Sequence, residues 1–284
     1  MFHRSIELTL IFLWLTVAVI LLWACSPKKT AKPAVAVSIL PQRWIMKQLV
    51  GDRLDVQVMV PPGTSPEAYD PAPGDLMRLS RSAAYFMVGG LGFERAWMPR
   101  FSEQNPTMPF FDTSMGLERL ADDYGHDVDP HIWTTPRNLA GIARNMCDAL
   151  CRVFPADSAL FVANCDALLR RLDEMDERIR RQLAISRART FIIYHPALSY
   201  FARDYGLRQI AVERDHKEPS AAMMQALVDE VRASDARVLL MQQEYDARLV
   251  ETLAQETGVR VVRVSLLSED FETELMRIVL EITR

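Results

Sequence analysis

Two histidines in this sequence have the right chemistry to hold a small cation between them: His131 and His195. His131 lies in Asp129-Pro130-His131-Ile132-Trp133, where a proline and two bulky apolar residues leave the backbone little freedom. His195 lies in Tyr194-His195-Pro196, far along the chain. Imidazole nitrogen and carboxylate oxygen are donors that suit zinc, which takes them in a tetrahedral set. Spacing alone does not join these residues, because a lone histidine is more often a surface or satisfied core residue. Of the five histidines, His126 and His216 stand among charges and read as surface residues, and His3 sits beside the apolar N-terminus. A folded scaffold must bring the candidates together.

The order of elements supplies one. Ala34–Leu40, Asp55–Val60, Ala84–Val88 and Pro109–Asp112 read as strands, with helices over Gln42–Val50, Pro73–Arg81 and Phe93–Phe101 between them. A helix follows over Asn138–Val153. From Ser158 to about Arg187 one long helix is expected, with Leu160, Phe161, Leu168, Leu172, Met175 and Ile179 apolar among many charges. The alternation then restarts. Strands are expected over Thr190–Tyr194, Arg208–Val212, Arg237–Met241 and Val259–Val264, and helices over Pro196–Tyr205, Ser220–Ser234, Ala247–Glu256 and Phe271–Thr283. Alternating strand and helix implies parallel sheets with helical crossovers. The expected fold is α/β: two parallel-sheet lobes joined by one long rigid helix. The boundaries fall at 34–154 for the first lobe, 155–188 for the linking helix and 189–284 for the second lobe. No convincing sequence repeat relates the halves.

Ligands of parallel α/β sheets bind beyond the carboxyl ends of the strands. Glu67 follows the second strand, and His195, Glu213, Gln242, Gln243, Glu244 and Ser265 each follow a strand of the second lobe. His131 lies in a first-lobe loop. The two lobes could therefore face each other across a cleft.

The chain has 284 residues, 49% hydrophobic and 25% charged, with a net charge of -4. Two ordinary domains fit that length, and the charge argues against a nucleic-acid partner. Leu8 to Ala24 is almost unbroken apolar sequence, followed by Cys25. A single membrane anchor and a cleaved secretory signal both fit such a run. Leu22-Trp23-Ala24-Cys25 favours a signal over residues 1–24, a tether over 25–33 and lipidation at Cys25. Cys147, Cys151 and Cys165 remain. They match no paired CxxC metal pattern and are expected to be buried thiols, a disulfide from Cys165 being the alternative.

Taken together, several motifs resemble the zinc and manganese (cluster A-I) substrate-binding proteins of ABC transporters. They are Val60-Pro61-Pro62-Gly63-Thr64-Ser65-Pro66 with Tyr69, Asp129-Pro130-His131-Ile132-Trp133 with Pro136, and His195-Pro196-Ala197 with Tyr200-Phe201 and Tyr205-Gly206-Leu207. Lys217-Glu218-Pro219-Ser220 and the strand from Gly258 to Val264 complete the match. The resemblance implies a helical-backbone metal receptor with ligands at Glu67, His131 and His195. Glu67 stands where the family usually has histidine. Histidine at position 195 favours zinc over manganese. An acidic fourth ligand is usual after the last strand, where this chain has Ser265. Gln243, Glu244, Glu269 or water are the substitutes. The His-rich loop of many zinc members is reduced to His126.

The function expected is extracytoplasmic capture of a divalent transition metal, and no enzyme activity. Delivery would be to an ABC permease and its ATPase, by a lipid-anchored monomer. A receptor for a metal chelate such as a siderophore or haem is the main alternative. A zinc hydrolase and an adhesin are weaker ones, the hydrolase because no HExxH-like motif accompanies the histidines.

Overall fold

A computed structural model describes residues 32–121, 128–213, 219–245 and 248–284. The N-terminal signal, Cys25, His126, His216 and the Lys217-Glu218 pair lie outside the described residues. No described helix is long and apolar enough to cross a membrane.

The first sheet holds β1 (Ala34–Val37), β2 (Asp55–Val58), β3 (Tyr85–Met87) and β4 (Phe110–Asp112) in the order β2-β1-β3-β4. The second holds β5 (Thr190–Ile193), β6 (Arg208–Ala211), β7 (Val238–Gln242) and β8 (Arg260–Val264) in the order β6-β5-β7-β8. Every pairing is parallel. The two lobes thus share one topology that leaves no readable repeat in the sequence. In each, the first strand sits inside the sheet, and the order reverses beside it, which is where parallel α/β sheets open a crevice.

The helices are α1 (Leu40–Val50), α2 (Pro73–Leu79), α3 (Gly92–Gln104), α4 (Pro136–Val153), α5 (Ser158–Ala184), α6 (Ser199–Tyr205), α7 (Ala221–Arg232), α8 (Arg248–Thr257) and α9 (Phe271–Thr283). Thr135 caps α4 by accepting from Asn138 N, and Pro136 fills the first turn, where its missing N–H costs nothing. The long helix starts as a 3-10 turn over Pro155–Asp157 and is α-helical from Ser158 to Ala184, about 40 Å at 1.5 Å per residue. Its buried side chains Phe161, Cys165, Leu168, Leu172, Met175, Ile179 and Leu183 recur every three or four residues and form one apolar stripe. That stripe packs on α1 and α4 of the first lobe and on α9 of the second. One continuous core therefore runs from Val37 and Ile45 through the strut to Phe191, Ile193 and Phe271. Successive β5 residues alternate: Phe191 and Ile193 face this core, whereas Ile192 and Tyr194 face a second cluster under α7 and α8.

Most strands are one or two residues shorter at their ends than their apolar runs predict. Helix α6 begins at Ser199 rather than Pro196, because residues 195–198 form a tight turn instead. Ala197 N donates to His195 O at 2.7 Å, and Leu198 N donates to Gln209 Oε1 at 2.9 Å. Cys147 and Cys165 are buried, Cys151 is half-buried, and all three are free thiols. Burial pushes the Cys147 and Cys165 thiols up, with neighbouring thiols adding to the shift at Cys147.

Candidate metal centre

His131 is held by its own turn. Asp129 Oδ1 accepts from His131 N and lies 2.8 Å from both that nitrogen and His131 Nδ1. Thr134 Oγ1 donates to His131 O at 2.9 Å, in the 3-10 turn Ile132–Thr134. The Trp133 ring lies 5.3 Å from the imidazole, and its Nε1 donates to Leu266 O of the second lobe at 2.9 Å. The proline and bulky neighbours seen in sequence thus become a buried turn with one carboxylate aiming the ring.

Glu67 comes from the stiff loop after β2. Its Oε2 accepts from Gly92 N at 3.3 Å, at the start of α3. A Cβ on Gly92 would stand 2.2 Å from Glu67 O, so only glycine lets this loop approach the helix. Glu67 Oε1 is buried, has no hydrogen-bond partner, and lies 3.9 Å from His131 Nε2. A buried carboxylate oxygen left unpaired is costly, and such an atom marks a place where a cation belongs.

His195 leaves the end of β5. Its backbone is clamped by Gln242 at the end of β7: His195 N donates to Gln242 Oε1 at 3.2 Å, and Gln242 Nε2 donates to His195 O at 2.6 Å. Glu213, after β6, places Oε2 at 2.8 Å from His195 Nδ1. The Tyr245 ring stacks on the imidazole, 5.4 Å between centroids and 18° between planes.

The two Nε2 atoms meet at 3.3 Å. Each Nδ1 faces a carboxylate, so each ring donates N–H there and turns an Nε2 lone pair toward the other; this tautomer follows from the hydrogen-bond network. Two lone pairs at that distance repel unless a proton or a cation lies between them. The titration behaviour agrees. Burial works to lower His131, but the Asp129 carboxylate, with Glu67 and Glu213, outweighs it and holds His131 above the usual imidazole range. Burial dominates at His195 and, with the His131 charge, holds it below that range despite Glu213. Of the two rings, His131 is the one whose surroundings favour a proton, and a cation between the Nε2 atoms would compete with it.

The separation fits a metal. Two nitrogens bound tetrahedrally at about 2.0–2.1 Å lie roughly 3.3–3.4 Å apart. Glu67 Oε1 stands wider than that edge, and among the described residues no three such side chains already close around one point. A small inward shift of the Glu67 carboxylate would complete a nitrogen–nitrogen–oxygen set. The surrounding cavity is about 30 Å³, lined also by Ser65, Ala197, Glu244, Leu266 and Leu267. It has room for a single ion or water.

The substitute ligands separate clearly. Glu244 lines the cavity, and burial raises its carboxyl pKa. Gln243, beside it on the strand-end turn, is exposed and away from the cavity, its N–H spent on Val264 O at 3.1 Å. Ser265 is also outside the lining and donates its N–H to Glu274 Oε1 at 2.7 Å. Glu269 is exposed and paired with Lys47 at 2.7 Å and Arg43 at 3.3 Å, so it has no free carboxylate to offer. Sequence reasoning counted Glu213 only among the potential ligands at strand ends and gave Asp129 no role. Their signal is the carboxylate two residues before His131, and the acidic residue one strand over from His195.

Two like-topology lobes on a long helix, with imidazoles converging between them, define a two-lobed receptor for a small ligand. The chain belongs to the family of the zinc-uptake complex component A, periplasmic, whose model matches residues 35–277. A manganese-binding lipoprotein of Halalkalibacterium halodurans is 27% identical over 212 residues, 73% of this chain and 70% of the relative. The zinc-binding lipoprotein AdcA of Streptococcus pneumoniae is 26% identical over 248 residues, 81% of this chain but 49% of that longer protein. A crystal structure of ZnuA is 30% identical with a TM-score of 0.85, covering 89% of this chain and 98% of that one. A zinc-bound ZnuA deletion mutant is similar at 30% identity and a TM-score of 0.84, covering 89% and 97%.

Proposed function

We propose that this protein captures one divalent transition metal ion, zinc before manganese, between its lobes, and delivers it to an ABC permease and its ATPase. The observation that carries the reading is the pair of Nε2 atoms at 3.3 Å beside the unpaired, buried Glu67 Oε1. Glu67, His131 and His195 are the proposed ligands, and Glu244 or water completes the shell. Two imidazoles and a carboxylate suit zinc, and the single negative charge of Glu67 offsets half of the cation's. Asp129 and Glu213 keep both rings in the metal-binding tautomer. A chelate receptor needs a cavity of hundreds of cubic ångströms, and about 30 Å³ does not admit a siderophore or haem.

Membership of a periplasmic family places the work outside the cytoplasm. The finer reading is a lipid anchor at Cys25 after removal of residues 1–24, with the folded part working as a monomer. Cys25→Ser should leave the protein in the aqueous phase of a detergent partition; retention in the detergent phase would instead support a membrane-spanning segment. For the metal, elemental analysis with chelator competition should give one tightly held zinc per chain. A metal-free chain that ignores added zinc in the same competition would contradict the proposal.

A further inference from the structure

Tyr200 lies on α6, five residues beyond His195, and is fully buried. Its hydroxyl reaches into the other lobe. It accepts from Leu120 N at 3.1 Å and donates to Asp129 O at 2.7 Å. Both atoms belong to the neck of the segment that leads into His131. There Asp129 N donates to Leu120 O at 2.9 Å, and Ala121 pairs with Val128 in an antiparallel bridge. The preceding residue, Ser199, holds the turn behind Tyr200: its hydroxyl donates to Pro196 O at 3.3 Å and accepts from Gln209 Nε2 at 3.2 Å. Asp129 is also the residue whose side chain aims His131 Nδ1. Tyr200 of the second lobe thus holds the backbone carbonyl of the residue that orients the first lobe's imidazole, and Ser199 fixes the turn that seats Tyr200.

The same short piece carries the other imidazole. From His195 the chain makes a hydrogen-bonded turn, fixed to Gln209, and enters α6 at Ser199. A continuous path of packed and hydrogen-bonded groups therefore runs from His195 through Ser199 and Tyr200 to Asp129 and His131. A phenyl ring would fill the Tyr200 site equally well, so packing does not account for the hydroxyl. Without it, the half-buried Leu120 N and the buried Asp129 O would each have one partner fewer.

We propose that Tyr200 and Ser199 are positioning residues that set the distance between the two imidazoles, and so how long the metal stays bound. The proposal rests on His131 and His195 being metal ligands. It places control of metal release in a contact between lobes that never touches the ion.

The test uses Co²⁺ alone as the probe, on the full chain, because its visible absorption reports coordination geometry. Tyr200→Phe should speed Co²⁺ dissociation about tenfold, the effect of losing one buried and one half-buried hydrogen bond. It should also shift the absorption band, while association stays at the parent rate. Ser199→Ala should move both readouts the same way by less. A merely structural role would lower the melting temperature of the metal-free protein and leave band and dissociation rate alone. Parent-like band and rate in both variants would overturn the proposal. His131→Ala measured alongside separates the two levels. If it binds Co²⁺ like the parent, the ligand assignment fails; if it loses Co²⁺ while Tyr200→Phe behaves as the parent, only the positioning role fails. Should Tyr200→Phe not fold, Ser199→Ala, which leaves the buried hydroxyl in place, decides the matter.

Discussion

Each of the two histidines presents Nδ1 to a carboxylate oxygen 2.8 Å away, yet their surroundings move them in opposite directions. At His131 burial is overcome, because Asp129 holds two of its nitrogens and Glu67 and Glu213 add their fields. At His195 burial prevails, and the charge of His131 pushes the same way. The rings are wired alike, but their surroundings raise the pKa of one and lower that of the other. A metal bound between them, as proposed, would compete with protons chiefly at His131. The lobes also differ in how each aims its ring. The first uses a local turn, two residues from carboxylate to imidazole. The second uses three neighbouring strand ends, with Glu213 after β6 and Gln242 closing β7 around His195 at the end of β5.

That comparison can be broken most severely at the rings themselves. His131→Ala and His195→Ala should each weaken zinc binding by more than the roughly 100-fold ceiling seen for supporting residues, as titration calorimetry would show. Equal loss in both would mark two ligands of one ion. Next come the supports. Asp129→Asn and Glu213→Gln should each cost about 10–100-fold in affinity, since the tautomer is no longer enforced.

The pH dependence sharpens the asymmetry. Protons compete with metal at His131, whose pKa is raised, so affinity should begin to fall above pH 6.5 as pH drops, with one proton taken up per ion released. His195 is lowered and adds nothing in that window. Removing the Asp129 charge should move the onset to lower pH, which buffer-dependent calorimetry can count. The smallest effect is expected at Glu67→His, which exchanges one donor for another and should keep zinc within about tenfold. Abolished binding in that variant would place Glu67 outside the shell.

Much of this was legible in the sequence, because strands and helices announce themselves locally. Phe271–Thr283 was read to the residue, and the helix read from Asn138 begins two residues earlier, at Pro136. The shared topology of the lobes was not legible, since it lies in strand order rather than in residue identity. Glu67 and His195 could be singled out by residue type and by their position after strands, and His131 by its stiff Asp129-Pro130-His131-Ile132-Trp133 setting. What brings them together could not. Trp133 Nε1 on Leu266 O, and Tyr200 on Asp129 O, join residues 133 and 71 apart. Glu269 failed as a ligand for the same reason: its partners Arg43 and Lys47 stand in the other lobe. Pro196 reads as a helix start, yet the turn that carries His195 delays α6 to Ser199.

The central claim is that one ion sits between His131 and His195. X-ray absorption at the zinc edge of the loaded protein tests it most directly. The prediction is two imidazole nitrogens at about 2.0–2.1 Å, with oxygen filling the remaining positions and no sulfur. A shell with sulfur at about 2.3 Å, pointing to the three thiols, or one with fewer than two imidazoles, would contradict it.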